Sequence, residues 1–409
     1  MAVNPRSSSL IVPPTVHPWM IVLLATACGL IVANIYYAQP LAGPIGAALA
    51  LSPHATGLIV TLTQIGYGAG LLLIVPLGDL IENRRLVVTL IGVAAVALLA
   101  AGLSNNAGTF LAAAFVIGVG SVAVQVLVPY AAHLAPEAVR GKVVGSVISG
   151  LMLGIMLARP VASFIAEVSS WHVVFFLSAG TMVMLAVMLS MTLPIRAPST
   201  NLSYGALLAS MSHLLRTTPV LRRRALYQAF LFAAFSLFWT TTPLLLAGPA
   251  FHLSQGGIAL FALVGVSGAI ASPIAGRVAD RGWTRPATAL SMLAVAIAFL
   301  MTKIVPTGST LSLVLLLAAA VVLDFGVSAN LTLGQRMIFL LSAEDRGRLN
   351  GLYLATFFVG GALGSAVGGW VYAQDGWSLT SSVGFALPVA ALVYFSTERT
   401  SLDHSDHHS

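Results

Sequence analysis

Apolar residues in this chain run in long stretches, without the short polar alternation of a soluble strand or surface helix. Twelve such stretches lie near 19–41, 57–77, 86–103, 108–131, 142–166, 172–193, 224–247, 257–275, 287–305, 310–334, 348–372 and 378–396. Each is close to the roughly 20 apolar residues that a helix needs to cross a bilayer. In a bilayer every backbone polar group must find its partner inside the chain, so the stretches are read as helices. The pattern predicts an all-α membrane protein of twelve transmembrane helices, called spans 1–12 below. Residues 1–18 and 397–409 read as polar tails, and 195–223 as one long polar connection between residues 19–194 and 224–396. Within that connection, 203–216 has the pattern of a short amphipathic helix.

Composition agrees. The chain is 58% hydrophobic and 8% charged, with mean hydropathy +0.96, where a soluble domain carries about a quarter charged residues. The net charge of +7 does not point to nucleic acid, because the basic residues sit in the short loops. With the N-terminus inside, 17 of the 19 Lys and Arg fall in cytoplasmic segments, leaving Lys303 at an outer helix end and Arg159 within a span. That asymmetry predicts both termini in the cytoplasm and an even number of spans. The first stretch is too long for the core of a cleaved leader and is expected to remain as span 1. The single cysteine, Cys28, lies in an apolar run and excludes a disulfide framework. His404, His407 and His408 read as a solvated tail, not a metal site.

Two loops repeat. Gly78-Asp79-Leu-Ile-Glu82-Asn83-Arg84-Arg85 and Gly276-Arg-Val-Ala-Asp280-Arg281-Gly282 share a glycine, an acid and trailing basic residues, and their glycines are 276 − 78 = 198 apart. Arg140-Gly141-Lys142 and Arg346-Gly347-Arg348 repeat at 346 − 140 = 206. Two motifs recurring in order at nearly one offset indicate a duplicated unit. The layout resembles the major facilitator superfamily of secondary transporters, whose hallmark is such a loop between helices 2 and 3 and again between 8 and 9. The resemblance covers nearly the whole chain. It implies two pseudo-symmetric six-helix halves, substrate binding between them near mid-membrane, and rocking that gives alternating access. Gly78, Asp79, Glu82, Arg84, Arg85, Gly276, Asp280 and Arg281 are then the expected cytoplasmic gate. Their acids and arginines would make contacts that exist only when that side is closed. The first copy departs from the family pattern: Glu82 stands where Asp is usual, and Asn83 replaces the first basic residue. In span 4, Ala114 stands four residues before Gly118, where the family has a proton-linked arginine, so that role does not carry over. Span 5 has Gly150, Gly154 and Pro160 of the glycine-rich motif associated with exporters, but Arg159 precedes the proline. Glycines at four-residue spacing, among them Gly66 and Gly70 or Gly360, Gly364 and Gly368, allow close helix packing.

Polar groups within spans are costly and rare. In the family, helices 1, 4, 7 and 10 line the cavity, and all four carry polar or aromatic residues here: Asn34, Tyr36, Tyr37 and Gln39 in span 1; Gln125 in span 4; Phe235, Phe238 and Trp239 in span 7; Asp324 and Asn330 in span 10. The Asn-x-Tyr-Tyr-x-Gln-Pro run resembles a branch near the drug/proton antiporters. These residues, with Arg159, are the expected substrate cavity. A wide cavity of aromatics with few charges suits an amphipathic organic molecule. Asp324, the one acid clearly inside a span, is the expected proton-coupling residue. The sequence carries no catalytic constellation, no metal-spaced histidines within the spans and no phosphate loop. No enzyme activity, cofactor, metal or ATP use is therefore expected. The reading is a monomeric secondary transporter of a bacterial inner membrane, exporting small amphipathic molecules in exchange for protons. The alternatives are uptake or exchange of a metabolite or organic anion drawn by Arg159, and a non-transporting receptor or scaffold.

Overall fold

The computed structural model describes residues 17–196, 202–342 and 344–398. Most of the two predicted tails, residues 1–16 and 399–409, lies outside these residues. The described residues fold into helices and turns. Ten helices are long and apolar enough to cross a membrane. One of the ten, Arg346–Ser396, is two spans joined at a kink, where Gly376 takes φ 55°. Only glycine adopts that conformation without strain. With the shorter apolar helix Pro18–Ala33, ten plus one plus one makes the twelve spans.

Helix starts follow from local chemistry. Asn106 accepts from Thr109 N at span 4, Ser254 from Gly257 N at span 8, and Ser309 from Ser312 N at span 10. Each satisfies an orphan donor of the first turn. Pro219 opens span 7, five residues before the predicted start, because proline at a first-turn position loses no helical bond. The Arg222-Arg223-Arg224 run therefore belongs to span 7 and not to the connection. Arg224 is buried against Glu398 at 3.0 Å. The amphipathic segment forms a helix, Tyr204–Thr217. It ties both halves together: Tyr204 donates to the Leu73 carbonyl of span 2 at 2.8 Å, and Arg348 of span 11 donates to Ser210 at 2.6 Å.

The duplication seen in the sequence is a duplication of packing. Spans 1 and 5, 2 and 4, and 3 and 6 lie against one another in the first half. Spans 7 and 11, 8 and 10, and 9 and 12 do the same in the second. The spaced glycines account for the closest crossings. A Cβ on Gly150 or Gly154 would overlap the backbone of Ala25 or Gly29 in span 1. One on Gly360 or Gly364 would overlap Ala229 or Ala233 in span 7. With lipid on the outside there is little hydrophobic drive between helices, and such contact supplies the association.

Two spans depart from plain α-helix where they approach the centre. Span 1 is α-helical only to Ala33, short of the predicted residue 41. Asn34, Ile35 and Tyr36 then bond three residues back, which tightens the chain into turns as far as Leu41. Span 8 is interrupted by the 3-10 segment Leu263–Ser267 between Gln255–Ala262 and Gly268–Asp280. Tight turns inside helices often mark hinges, and both of these face the same residue.

Candidate functional site at the centre of the bundle

That residue is Arg159, 2% exposed and about two-thirds of the way along span 5. Its Nε donates to Gln39 Oε1 at 2.7 Å. Three rings surround its guanidinium: Trp239 at 4.5 Å from the ring centre, and Tyr36 and Phe235 at 5.1 Å each. Stacked cation–ring contacts of this kind are worth about 2 kcal/mol each when shielded from water. Trp239 in turn donates from Nε1 to Asp324 Oδ1 at 2.8 Å. The other carboxylate oxygen and Arg159 flank the span 8 turn together. A Cβ placed on Gly265 would lie 3.2 Å from Asp324 Oδ2 and 3.6 Å from Arg159 Nη1. A Cβ there would press on the Asp324 carboxylate and meet Arg159 at ordinary contact distance, so glycine at 265 makes room chiefly for the acid.

Six predicted residues thus form one cluster: Tyr36 and Gln39 from span 1, Arg159 from span 5, Phe235 and Trp239 from span 7, and Asp324 from span 10. The first three belong to one half and the last three to the other. The other predicted residues lie elsewhere. Asn34 turns to span 6, accepting from Ser178 at 2.5 Å and donating to Met182 sulfur at 3.4 Å. Tyr37 lines an apolar groove of about 430 Å³ between spans 1 and 5. Phe238 packs edge-on against Phe299 and Trp377, on the side of span 7 that meets spans 9 and 12. Gln125 donates to Tyr67 at 2.9 Å, and Asn330 to Gln228 at 2.6 Å, each within its own half. The expected wide cavity is not what this conformation holds. The rings fill the centre, and the void beside Arg159, Trp239 and Thr242 is about 10 Å³, close to the room one water needs.

Several contacts between the halves were not anticipated. Gln64 of span 2 donates to Ser236 of span 7 at 2.9 Å, and Thr61 to the Ala362 carbonyl of span 11 at 3.1 Å. Tyr67 lies 4.4 Å from Phe358. Gln64 and Gln228 carry the same signal that singled out Gln125, a carboxamide in an apolar run. Nothing in the sequence around them says that Gln64 faces the other half and Gln228 its own.

The repeated loops sit at the arginine-rich end and bond within their own halves. Glu82 caps span 3, accepting from Arg84 N and Arg85 N at 2.9 Å each, and Arg84 reaches the Leu193 carbonyl of span 6 at 3.3 Å. Asn83 donates to the Gly78 carbonyl at 3.1 Å. Asp280 pairs with Arg336 of span 10, which also donates to the Gly276 carbonyl at 2.8 Å. Asp79, Arg85 and Arg281 are exposed.

At the opposite end the halves are tied. Glu167 of span 5 accepts from Gly256 N at the start of span 8 at 2.9 Å, and His54 lies 3.1 Å from Gln374. Gly57 and Gly369 cross backbone on backbone. Replacing Glu167 with Ala removes a carboxylate from a helix N-terminus and an exposed hydrogen bond, together about 1 kcal/mol. The expected result is a roughly fivefold rise in opening at that end. It would be read as faster thiol labelling of a cysteine placed at Ser163, and an unchanged rate would show that Glu167 does not hold the seam.

A family model, the Major Facilitator Superfamily, matches residues 22–315 and 250–407. The chain belongs to this superfamily. It is 38% identical over 376 residues to the uncharacterized transporter YgaY of Escherichia coli O157:H7, covering 92% of this chain and 94% of that one. It is 32% identical over 360 residues to the probable transporter SCO4007 of Streptomyces coelicolor, covering 87% and 82%. Among solved structures it resembles a D-xylose–proton symporter, with TM-score 0.72, 16% identity and coverage of 93% and 97%. It also resembles a bacterial homologue of the lysosomal transporter Spinster in an inward-facing, occupied conformation, with TM-score 0.68, 14% identity and coverage of 92% and 94%. These two likenesses show the fold. The molecule is a multi-pass membrane transporter of the superfamily.

Proposed function

We propose that this transporter is proton-coupled, with Asp324 as the proton site, Arg159 as its counter-charge and small amphipathic organic molecules as substrates. One observation carries the reading: an acid from one half and a base from the other converge on Gly265 and Trp239 in the buried centre. Ionisable groups inside a membrane span are costly and mark substrate pathways and proton relays. A change in the charge of Asp324 alters its attraction to Arg159 and so the balance between the two orientations of the halves. The rings around Arg159 offer apolar and stacking surface for the body of an organic molecule.

The Lys and Arg asymmetry supports an orientation with the arginine-rich end in the cytoplasm, and the likeness to bacterial transporters supports a bacterial inner membrane. The tied end is then the outer one, and the site is shut from outside in this conformation. Gate contacts confined to each half fit that state, since their cross-half partners would form when the cytoplasmic side closes. Export in exchange for protons is the direction that the family branch suggests.

The test is reconstitution of the purified protein in liposomes with an internal pH dye, challenged with neutral, cationic and anionic amphiphiles. At least one class is expected to move protons with the natural protein and not with Asp324→Asn. The sign of the pH change gives export by exchange or uptake by co-transport. Substrate movement without any proton movement in either direction would end the proton-coupled reading.

A further inference from the structure

The centre of the bundle holds donors with nothing to donate to. Arg159 Nη2 and Gln39 Nε2 are sealed from solvent and meet no acceptor, and Thr242 Oγ1 beside them is likewise unpartnered. All three side chains are nearly fully buried. A buried donor left unmet costs about 1–3 kcal/mol, and more when it is charged. The two nitrogens are neighbours by construction. Nε and Nη2 share one edge of the guanidinium, and Nε is bonded to the oxygen of the same Gln39 amide whose nitrogen is free. Nε on that edge is already bonded, so Nη2 and the free Gln39 Nε2 are the two donors left for the two oxygens of a carboxylate. Neutral hydroxyls or amides offer one acceptor and no compensating charge.

Charge balance supplies the second half of the argument. Arg159 and Asp324 together bring one positive and one negative charge into the buried centre. Tyr36 is the other titratable group there, and the remaining groups packed around the pair are the neutral Trp239, Gln39 and Phe235. A bound carboxylate would leave the centre with an excess negative charge, which a low-dielectric site disfavours strongly. A proton passing from water to an Asp324 carboxylate oxygen restores neutrality. The carboxylate then holds Arg159, and Asp324 is a neutral acid.

Resting on the reading of Arg159 and Asp324 as the coupled centre, we infer that the substrate is an organic monocarboxylate clamped by Arg159 Nη2 and Gln39 Nε2, and that it travels with one proton on Asp324 in the same direction. The void of about 10 Å³ beside Arg159, Trp239 and Thr242 is not lined by Gln39 and holds one water at most, so a bound molecule needs room made for it. Its body replaces rings that now fill the centre, so loading is coupled to movement of Tyr36 and Phe235 and of the two tight turns of spans 1 and 8. The direction differs from export by exchange, where proton and substrate replace one another.

The experiment uses the full-length protein in detergent. Benzoate, 4-hydroxybenzoate and hexanoate are compared with benzamide, 4-hydroxybenzamide and hexanamide. Binding is read by tryptophan fluorescence, and proton uptake by an indicator dye in weak buffer. The expected result is binding of at least one acid more than tenfold tighter than its amide, with about one proton taken up per acid bound. Gln39→Glu puts a carboxylate of the protein's own on Arg159. It is expected to abolish acid binding and the accompanying proton uptake while the thermal melting midpoint is kept. Arg159→Lys keeps the charge but loses the fork, and should weaken acid binding roughly tenfold. Acids that bind no better than their amides, acid binding without proton uptake, or undiminished acid binding by Gln39→Glu would each overturn the inference. Amide binding with a proton uptake that is lost in Asp324→Asn would overturn the substrate class and leave the proton-coupled reading standing.

Discussion

Asp324→Asn is expected to abolish accumulation of substrate against its gradient while downhill exchange continues. Asparagine keeps an oxygen at the position that accepts from Trp239 Nε1 at 2.8 Å, so the ring and the wall of the site stay in place. It cannot gain or lose a proton in the working range. It also leaves the Arg159 guanidinium, 2% exposed, without its counter-charge. Stripping one partner from a buried charge pair costs about 3–5 kcal/mol. Here the loss should be nearer the lower end, because the two groups are not in direct contact and three rings remain around Arg159. A lower melting temperature is therefore part of the prediction, and Asp324→Asn combined with Arg159→Gln should recover it without recovering accumulation. Asp324→Glu should retain partial coupling. Accumulation driven by a pH step in the Asn variant, measured with the solute found in the reconstitution screen, would place the proton site elsewhere.

Gly57→Ala is the second large effect, and it should act on the conformational balance and not on folding. The Cβ would overlap the Ser365 carbonyl oxygen and lie 3.3 Å from the Gly369 backbone. Gly57 is on span 2 and both partners are on span 11, so the clash falls on the seam between halves at the tied end. The methyl has no flexible side chain to push aside. Overpacking of this kind costs about 1–3 kcal/mol, equivalent to a shift of roughly 5- to 150-fold in the ratio of the two states. The state with that end open has no such clash and is expected to become dominant. Gly364→Ala presses equally hard on the Ala233 backbone, but within one half. Moving the halves apart does not relieve it, so it should lower stability and expression. Spin labels on opposite halves at the tied end would separate the outcomes: longer distances for Gly57→Ala, unchanged distances for Gly364→Ala. Unchanged distances in both would mean that the Gly57 crossing does not control the seam.

The class of fold was legible in the chain because its causes are local. A run of about 20 apolar residues with one satisfactory way to pair its backbone in lipid has to be a helix. Charge in the loops is read one loop at a time, and the repeat at offsets of 198 and 206 is visible without coordinates. Even the close crossings were announced by Gly150, Gly154, Gly360 and Gly364. Among the helix ends that differ from the apolar runs, two have a local cause. Pro219 begins span 7 early, and the tightened turns of Asn34–Tyr36 end the α-helix of span 1 at Ala33.

Which polar residues meet was decided by tertiary structure alone. Asn34 and Gln39 sit on the same short run, yet one turns to Ser178 in span 6 and the other to Arg159 in span 5. That choice depends on where the chain tightens and which helices flank it, information held nowhere in residues 34–39. Phe235 and Trp239, one turn apart, reach Arg159, whereas the neighbouring Phe238 packs on Phe299 and Trp377. Gly265 gave no signal by itself; its meaning comes from Asp324 and Arg159 arriving beside it from opposite halves. Apolar periodicity is weak in a helix wrapped by lipid on one side and by apolar neighbours on the other, because both favour the same residues. Apolar run length, loop charge and the repeated motifs make this protein a duplicated helical bundle across the membrane with its charge at one end. The packing of one half against the other decided which few polar groups form its centre.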